Sequence, residues 1–401
     1  MSQRPLSAVP AATGGWGALG ALAGLAAGRV LDLDGMVSWL LLLSLAALPM
    51  WILEWRAHGS KTIPIAVNSR ECLLGVALVT LLFLGSMQIQ LWLGSNKGGA
   101  VGLFKLHILA VCAILALVAL LRPQFLSPTF PSCGRLILAL AKGRRPERNE
   151  VTALMGWIVK AVFLPLMLAW SFLWVAGVSG LLHERNWIMV FTVALALLYA
   201  LDTAFGTVGY LSTSERIDGQ IRSVDTTVMG WLSALVCYPP LSVLVLDTWL
   251  LYKTGADWTM WFSETSILAW LWGSAIVLLT ASYTWSTVAF GPRFSNLTNR
   301  GIITHGPYRW GKHPAYLCKN LSWWLIFVPF LGNQTILEGV LHCLALLGVN
   351  AIYALRAWTE ERHLSDDPDY RAYALWISRH GLVAQGKRIF QRSAGTSEHQ
   401  V

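Results

Sequence analysis

Residues 187–212 read WIMVFTVALALLYALDTAFGTVGYLS, a run in which Asp202 alone is charged at neutral pH. About 20 such residues wound into a helix cross a hydrocarbon core of about 30 Å. A backbone surrounded by lipid must satisfy its own hydrogen bonds, so the run is a helix or part of a closed barrel. It is too long and too uniformly apolar for a barrel strand, whose side chains alternate. Windows of the same kind recur at residues 14–31, 36–54, 72–93, 103–122, 151–182, 226–252, 266–290, 316–332 and 335–357. The expected fold is therefore all-α, a polytopic transmembrane helical bundle of about ten spans.

Composition agrees. Of 401 residues, 55% are hydrophobic and 13% charged, and the mean hydropathy is +0.54, whereas soluble domains are about a quarter charged. This excludes a water-soluble globule. The 21 Trp residues suit the headgroup level, where an indole keeps one edge wet. A net charge of +9 is spread over short loops with no basic arm, so it is read as a topology signal and nucleic acid is not an expected partner. The six cysteines form no CxxC or Cys/His pair with metal spacing, and no metal is expected. Arg4 ahead of an Ala/Gly-rich stretch faintly resembles a secretory signal, but the many later spans make it a first membrane helix. Gly15, Gly17 and Gly20 satisfy a Gly-x-Gly-x-x-Gly pattern with no strand before it; Gly20, Gly24 and Gly28 read instead as a small-residue packing face.

Orientation follows from lysine and arginine in the short loops. Arg135, Lys142, Arg144, Arg145 and Arg148 lie between Arg122 and Glu150, and Arg293, Arg300, Arg309 and Lys312 lie between Gly291 and Ala315. Four spans separate the two loops, so both face the cytoplasm. The same parity places Arg56, Lys61 and Arg70, then Arg216 and Arg222, and both chain termini on that side, while the opposite loops at Asp32 to Asp34 and Lys253 to Glu264 are short or acid-balanced. The chain divides into an accessory N-terminal bundle (1–122), a basic cytoplasmic loop (123–150), central helices forming an acceptor cavity (151–290), and a C-terminal core with its tail (291–401).

Asp202 is a functional candidate by its membrane depth, with a structural hydrogen bond to a neighbouring helix as the alternative. The densest polar cluster is GIITHGPYRWGKHPAY at 301–316, which leads into an apolar hairpin. The hairpin ends in RAWTEERHL at 356–364, followed by Tyr370 and Tyr373. Two polar clusters thus flank one helical hairpin and meet at one membrane face.

The ordered set Thr304-His305-Gly306-x-Tyr308, Lys312-His313-Pro314-x-Tyr316, hairpin, Arg356-x-x-x-Glu360-Glu361 and paired tyrosines resembles the isoprenylcysteine carboxyl methyltransferase family and its phospholipid methyltransferase relatives over about residues 290–385. Lys312 departs from the arginine usual before His-Pro, and the N-terminal spans exceed that family's handful. The resemblance implies S-adenosylmethionine as cofactor, with Tyr308, His313, Tyr316 and Glu360 or Glu361 lining its pocket. Either glutamate suits the ribose hydroxyls or ammonium, and Arg309, Lys312 and His313 suit the carboxylate. Pro314 breaks the backbone so that preceding peptide groups can face a ligand. Methyl transfer is an in-line displacement helped by alignment and desolvation. Arg356 would hold a carboxylate nucleophile, while an amine would need a base such as His305 or a carboxylate. His363, one turn from Glu360, lacks a full ligand set and is read as a solvated helix end.

The expected function is methyl transfer to a lipid-like or lipid-attached acceptor reaching the pocket from the bilayer, in a bacterial inner membrane or the endoplasmic reticulum, with the site facing the cytoplasm. The rivals are an NADPH-dependent sterol- or enone-type reductase on the same core and a transporter or receptor without enzymatic activity. The oligomeric state is not legible. The enzyme reading requires the His313 imidazole to lie close to Glu360.

Overall fold

The computed structural model describes residues 3–59, 68–93, 98–181, 187–253, 257–262, 266–330 and 335–397. Thirteen α-helices follow one another among them: α1 Ala11–Val30, α2 Gly35–His58, α3 Ser69–Trp92, α4 Gly98–Leu121, α5 Thr129–Ala141, α6 Arg148–Leu181, α7 Ile188–Leu211, α8 Val228–Leu235, α9 Ile267–Ala289, α10 Pro314–Phe327, α11 Ile336–Leu364, α12 Pro368–His380 and α13 Leu382–Ser397. Among the described residues the strands are a two-residue antiparallel pair, β1 Ser223–Val224 and β2 Thr298–Asn299, with Ser223 opposite Asn299 and Val224 opposite Thr298.

Among the described residues six helices are long and apolar enough to cross a membrane: Gly35–His58, Ser69–Trp92, Arg148–Val178, Ile188–Leu211, Ile267–Ala289 and Ile336–Leu364. Of the other expected spans, α1 is diluted by glycine, and α4, 24 residues long, has its fully described apolar stretch at His107–Leu121. Helix α10 has 14 residues, about 21 Å of rise against a core of about 30 Å. The window 226–252 is not one span. Its eight-residue α8 gives way to Pro239–Pro240, joined by a cis bond, and then to a π-helical turn at Val243–Trp249. A proline lacks the amide that would continue the ladder, which is why the helix stops there. The basic connection expected at 123–150 is also more ordered than a loop. It carries α5, whose Gly134 lies so close to α3 that an added Cβ would stand 1.8 Å from the Glu71 carbonyl oxygen. Lys61 and the 254–256 and 263–265 parts of the Lys253 to Glu264 connection lie outside the described residues.

The glycine face of α1 lies on α2: a Cβ at Gly20 would meet the Leu45 carbonyl oxygen at 1.9 Å, and at Gly28 the Ser38 hydroxyl at 2.5 Å. Close backbone approach is what small residues allow where lipid gives helices no hydrophobic drive to associate. Ahead of α1 the chain runs against the 301–305 loop. Ala8 N–H donates to the Ile302 carbonyl at 2.8 Å, and Thr304 Oγ1 donates to the Pro5 carbonyl at 2.8 Å. Val9, fully buried, joins Ala289, Ile302, Ile303, Tyr308, Tyr370 and Tyr373 in one apolar cluster. The end of α7, the start of α8, the end of α9 and both ends of the α10–α11 hairpin's polar segments therefore meet at one end of the bundle.

Candidate active site

Helix α9 ends at Ala289, and Gly291, at φ +53°, turns the chain into the segment that leads to α10. Two buried arginines shape this segment. Arg300 donates to five carbonyl oxygens: Gly219 (2.8 Å), Gly209 (2.8 Å), Phe294 (3.2 Å), Ser212 (3.2 Å) and Pro292 (3.0 Å). Arg293 donates to Glu54 on α2 at 3.0 Å, to the Arg300 carbonyl at 3.2 Å and to the Ile217 carbonyl at 3.4 Å. The Arg293 and Glu54 side chains are both 0% exposed. These charges were read as topology signals; the structure uses them to hold the loop.

The following turn, Gly306–Arg309, is pinned by α12. Tyr373 OH donates to the carbonyls of Tyr308 (2.7 Å) and Gly311 (3.1 Å). Pro314 occupies the first position of α10, where a missing amide costs no hydrogen bond. Lys312, His313 and Tyr316 are thereby presented to the end of α11. Lys312 Nζ lies 2.6 Å from Glu361 Oε2, and His313 Nε2 lies 3.0 Å from Glu361 Oε1. His313 Nδ1 lies 3.8 Å from Glu360 Oε2, so the separation the enzyme reading required is short. Tyr316 OH donates to Glu360, whose same oxygen accepts from Arg356 Nε at 3.1 Å. The His313 and Tyr316 rings stack at 5.6 Å with 5° between planes.

A cavity opens beside this cluster, lined by Tyr308, Lys312, His313, Tyr316, Arg356 and Glu360 together with groups of α8, α9 and the 293–303 segment. Its interior of about 170 Å³ is below the roughly 300–1000 Å³ usual for ligand sites. Lys312, His313, Tyr316, Arg356 and Glu360 on its wall are paired with one another or with Glu361 and Asn296, so a ligand the size of a nucleotide has to exchange those pairs for its own. Tyr370 OH is buried on the wall without a hydrogen-bond partner. Burial pushes the Tyr308 and Tyr370 phenols above their ordinary range, with the Tyr373 and Glu361 charges reinforcing this at Tyr308 and Tyr370 respectively.

Four predicted residues do not line the cavity. Glu361 sits behind Glu360, held by Lys312 and His313. Arg309 is exposed, its guanidinium 4.5 Å from the Trp310 ring centroid. His305 is buried against the N-terminal strap near Val9, with Nε2 unpaired, and burial lowers its pKa. Asp202 stands one layer back on α7 and accepts from Tyr283 OH (2.5 Å) and Thr287 Oγ1 (2.6 Å), both cavity-lining groups of α9. It takes the structural role first, as a clamp on the wall.

His363, expected as a solvated helix end, is instead half-buried on the wall with Nε2 3.2 Å from the Ser223 hydroxyl. Three more wall residues were not singled out in the sequence, although Asp225 lies in the region expected to form the acceptor cavity. Asn296 accepts from Arg356 Nη2 at 2.6 Å and donates to Tyr238 OH at 3.2 Å. Asp225, just beyond β1, accepts from the Thr227 amide at 2.8 Å. Lys319 on α10 places its ammonium 5.2–5.4 Å from the ring centroids of Trp323, Tyr283 and Tyr353. Lys319 carried the same signal as Asp202, a lone charge inside an apolar window, and could have been found by it.

Fold and cavity together define a helical integral membrane protein with a polar, ligand-accessible pocket at one end of its bundle. Within it, residues 267–366 match the model of the isoprenylcysteine carboxyl methyltransferase (ICMT) family. The matched segment, about a quarter of the chain, contains α9, α10, α11 and every residue of the Lys312–Glu361 cluster. No curated protein and no solved structure matches the chain.

Proposed function

We propose that the protein is an S-adenosylmethionine-dependent methyltransferase acting on a lipid-like or lipid-attached acceptor, with its cavity facing the cytoplasm. The observation that carries this is the meeting of Lys312, His313 and Tyr316 with Glu360 and Glu361 at one cavity inside the family-matched segment. The donor set suits the cofactor. Glu360 can accept from ribose hydroxyls or the amino-acid ammonium, Lys312 and His313 can donate to its carboxylate, and the unpartnered Tyr370 hydroxyl is a further donor. When bound, S-adenosylmethionine supplies an electrophilic methyl group on a sulfonium.

The chain's own part is to align and to exclude water. Tyr238, Tyr283, Tyr316 and Tyr353 make the inner wall aromatic, and Asp202 fixes two of its α9 hydroxyls from behind. Arg356, held by Glu360 and Asn296, and Lys319 both offer positive charge to an anionic acceptor. The two cations favour a carboxylate acceptor, which needs no general base; an amine acceptor would have to give up a proton, for which Glu360, Asp225, His313 and His363 are on the wall and His305 is not. The same inner wall lies among α8, α9 and α10, whose apolar outer faces make the bilayer the route for an acyl chain.

Isothermal titration calorimetry of the purified full-length protein with S-adenosylmethionine, S-adenosylhomocysteine and NADPH tests the reading. Binding of the first two is expected. Binding of NADPH alone would assign the cavity to a reductase.

A further inference from the structure

A second cavity, of about 580 Å³, lies between α5, the start of α6 and the segment between α7 and β1. It shares no lining residue with the first. Lys160, one of its lining groups, is 9% exposed on an otherwise apolar helix. Its ammonium meets the Thr213 hydroxyl and lies 4.2 Å from the Trp157 ring centroid. Among the described residues no carboxylate stands within ion-pair distance of it. A buried ammonium with only neutral partners is costly unless an anion completes its shell. Ser132 and Thr152 add hydroxyls to the same wall. Opposite in kind, the Gln220 side-chain oxygen is buried here without a hydrogen-bond partner, its amide nitrogen being turned to Asp218 at 3.3 Å. The cavity thus offers a buried cation without a counter-ion and an unfilled acceptor, while elsewhere on its wall Arg148 and Arg222 offset the charges of Glu147 and Glu215.

We propose that this cavity binds a phosphate ester that also carries a free hydroxyl, the phosphate seated at Lys160 and the hydroxyl donating to Gln220. A glycerophosphate group has this chemistry, either as the head group of an anionic phospholipid or as a soluble ester. The position favours the lipid: the cavity is lined by the first turns of α6, whose Arg148–Val178 stretch is long and apolar enough to cross a membrane.

The test is a thermal-shift and binding titration of the full-length protein in detergent with three probes: phosphatidylglycerol, phosphatidylcholine and glycerol 1-phosphate. Phosphatidylglycerol is expected to raise the melting temperature and phosphatidylcholine to do so less. Lys160→Met should weaken phosphatidylglycerol binding about ten- to hundredfold, the loss expected for one charge-assisted contact. A Lys160-dependent shift with glycerol 1-phosphate alone also supports the site and assigns it a soluble ligand. A shift that persists in Lys160→Met, or none with any probe, overturns it. Thr152→Val serves the same comparison with the lysine intact, so a Lys160 variant that does not fold leaves the idea open to refutation.

Discussion

Two groups of basic residues, barely a dozen positions apart in one segment, meet opposite fates. Arg293 and Arg300 are sealed in the bundle, each spending its donors on carbonyls or on Glu54. Lys312 and His313 are 30% and 21% exposed and share their carboxylates across a cavity wall. The first group has most of its donors engaged within the bundle, Arg293 Nε alone being buried without a partner; the second can exchange partners. A charged residue in a membrane protein therefore declares its role through what remains unfilled around it, and its charge alone says little.

The contrast breaks most visibly at Arg293. Arg293→Met leaves the fully buried Glu54 with only His58, 3.5 Å away, as a basic neighbour, which costs up to about 3–5 kcal/mol, and the thermal unfolding midpoint in detergent should fall sharply. Adding Glu54→Gln should restore part of the loss. An unchanged midpoint in the single variant would mean that the knot is decoration. At the cavity the order of effects reverses. Glu360→Gln, at a 28% exposed position, should change stability by less than about 1 kcal/mol but weaken S-adenosylmethionine binding about ten- to hundredfold by calorimetry. Equal losses of stability in the two variants would erase the distinction. The smallest effect belongs to His305, which sits in neither group. Burial lowers its pKa, so the folded chain resists a proton that the unfolded chain accepts. Stability should thus decline as pH falls through the ordinary imidazole range near about 6.5. His305→Asn should flatten that part of the stability profile, and a profile unchanged by it would remove the histidine from the account.

Much of this contrast was half legible. The His313–Glu361 contact spans 48 positions, but a hairpin of apolar helices between two polar segments forces its ends together, so the pairing follows from topology. Glu54 and Arg293 are 239 positions apart, with no intervening pattern that brings them together. Asp202 stood out by depth alone, yet whether it faces a cavity or a neighbour's hydroxyls depends on helix rotation, which a uniformly apolar run leaves undetermined. Pro239 and Pro240 did mark the break in the 226–252 window; hydropathy averaging smoothed over it. Helix α5 was hidden because its 13 residues are too few for a span, and its first half, TFPSCGR, carries the Pro, Ser and Gly of a loop.

The strap at Pro5 to Val9 is tied to residues 302–305, nearly three hundred positions later. A nascent chain leaving the ribosome holds this strap without a seat until α9 has been delivered to the bilayer. Assembly of the pocket thereby waits on the helices in between, and quality-control factors that survey half-inserted chains would encounter the strap bare until then.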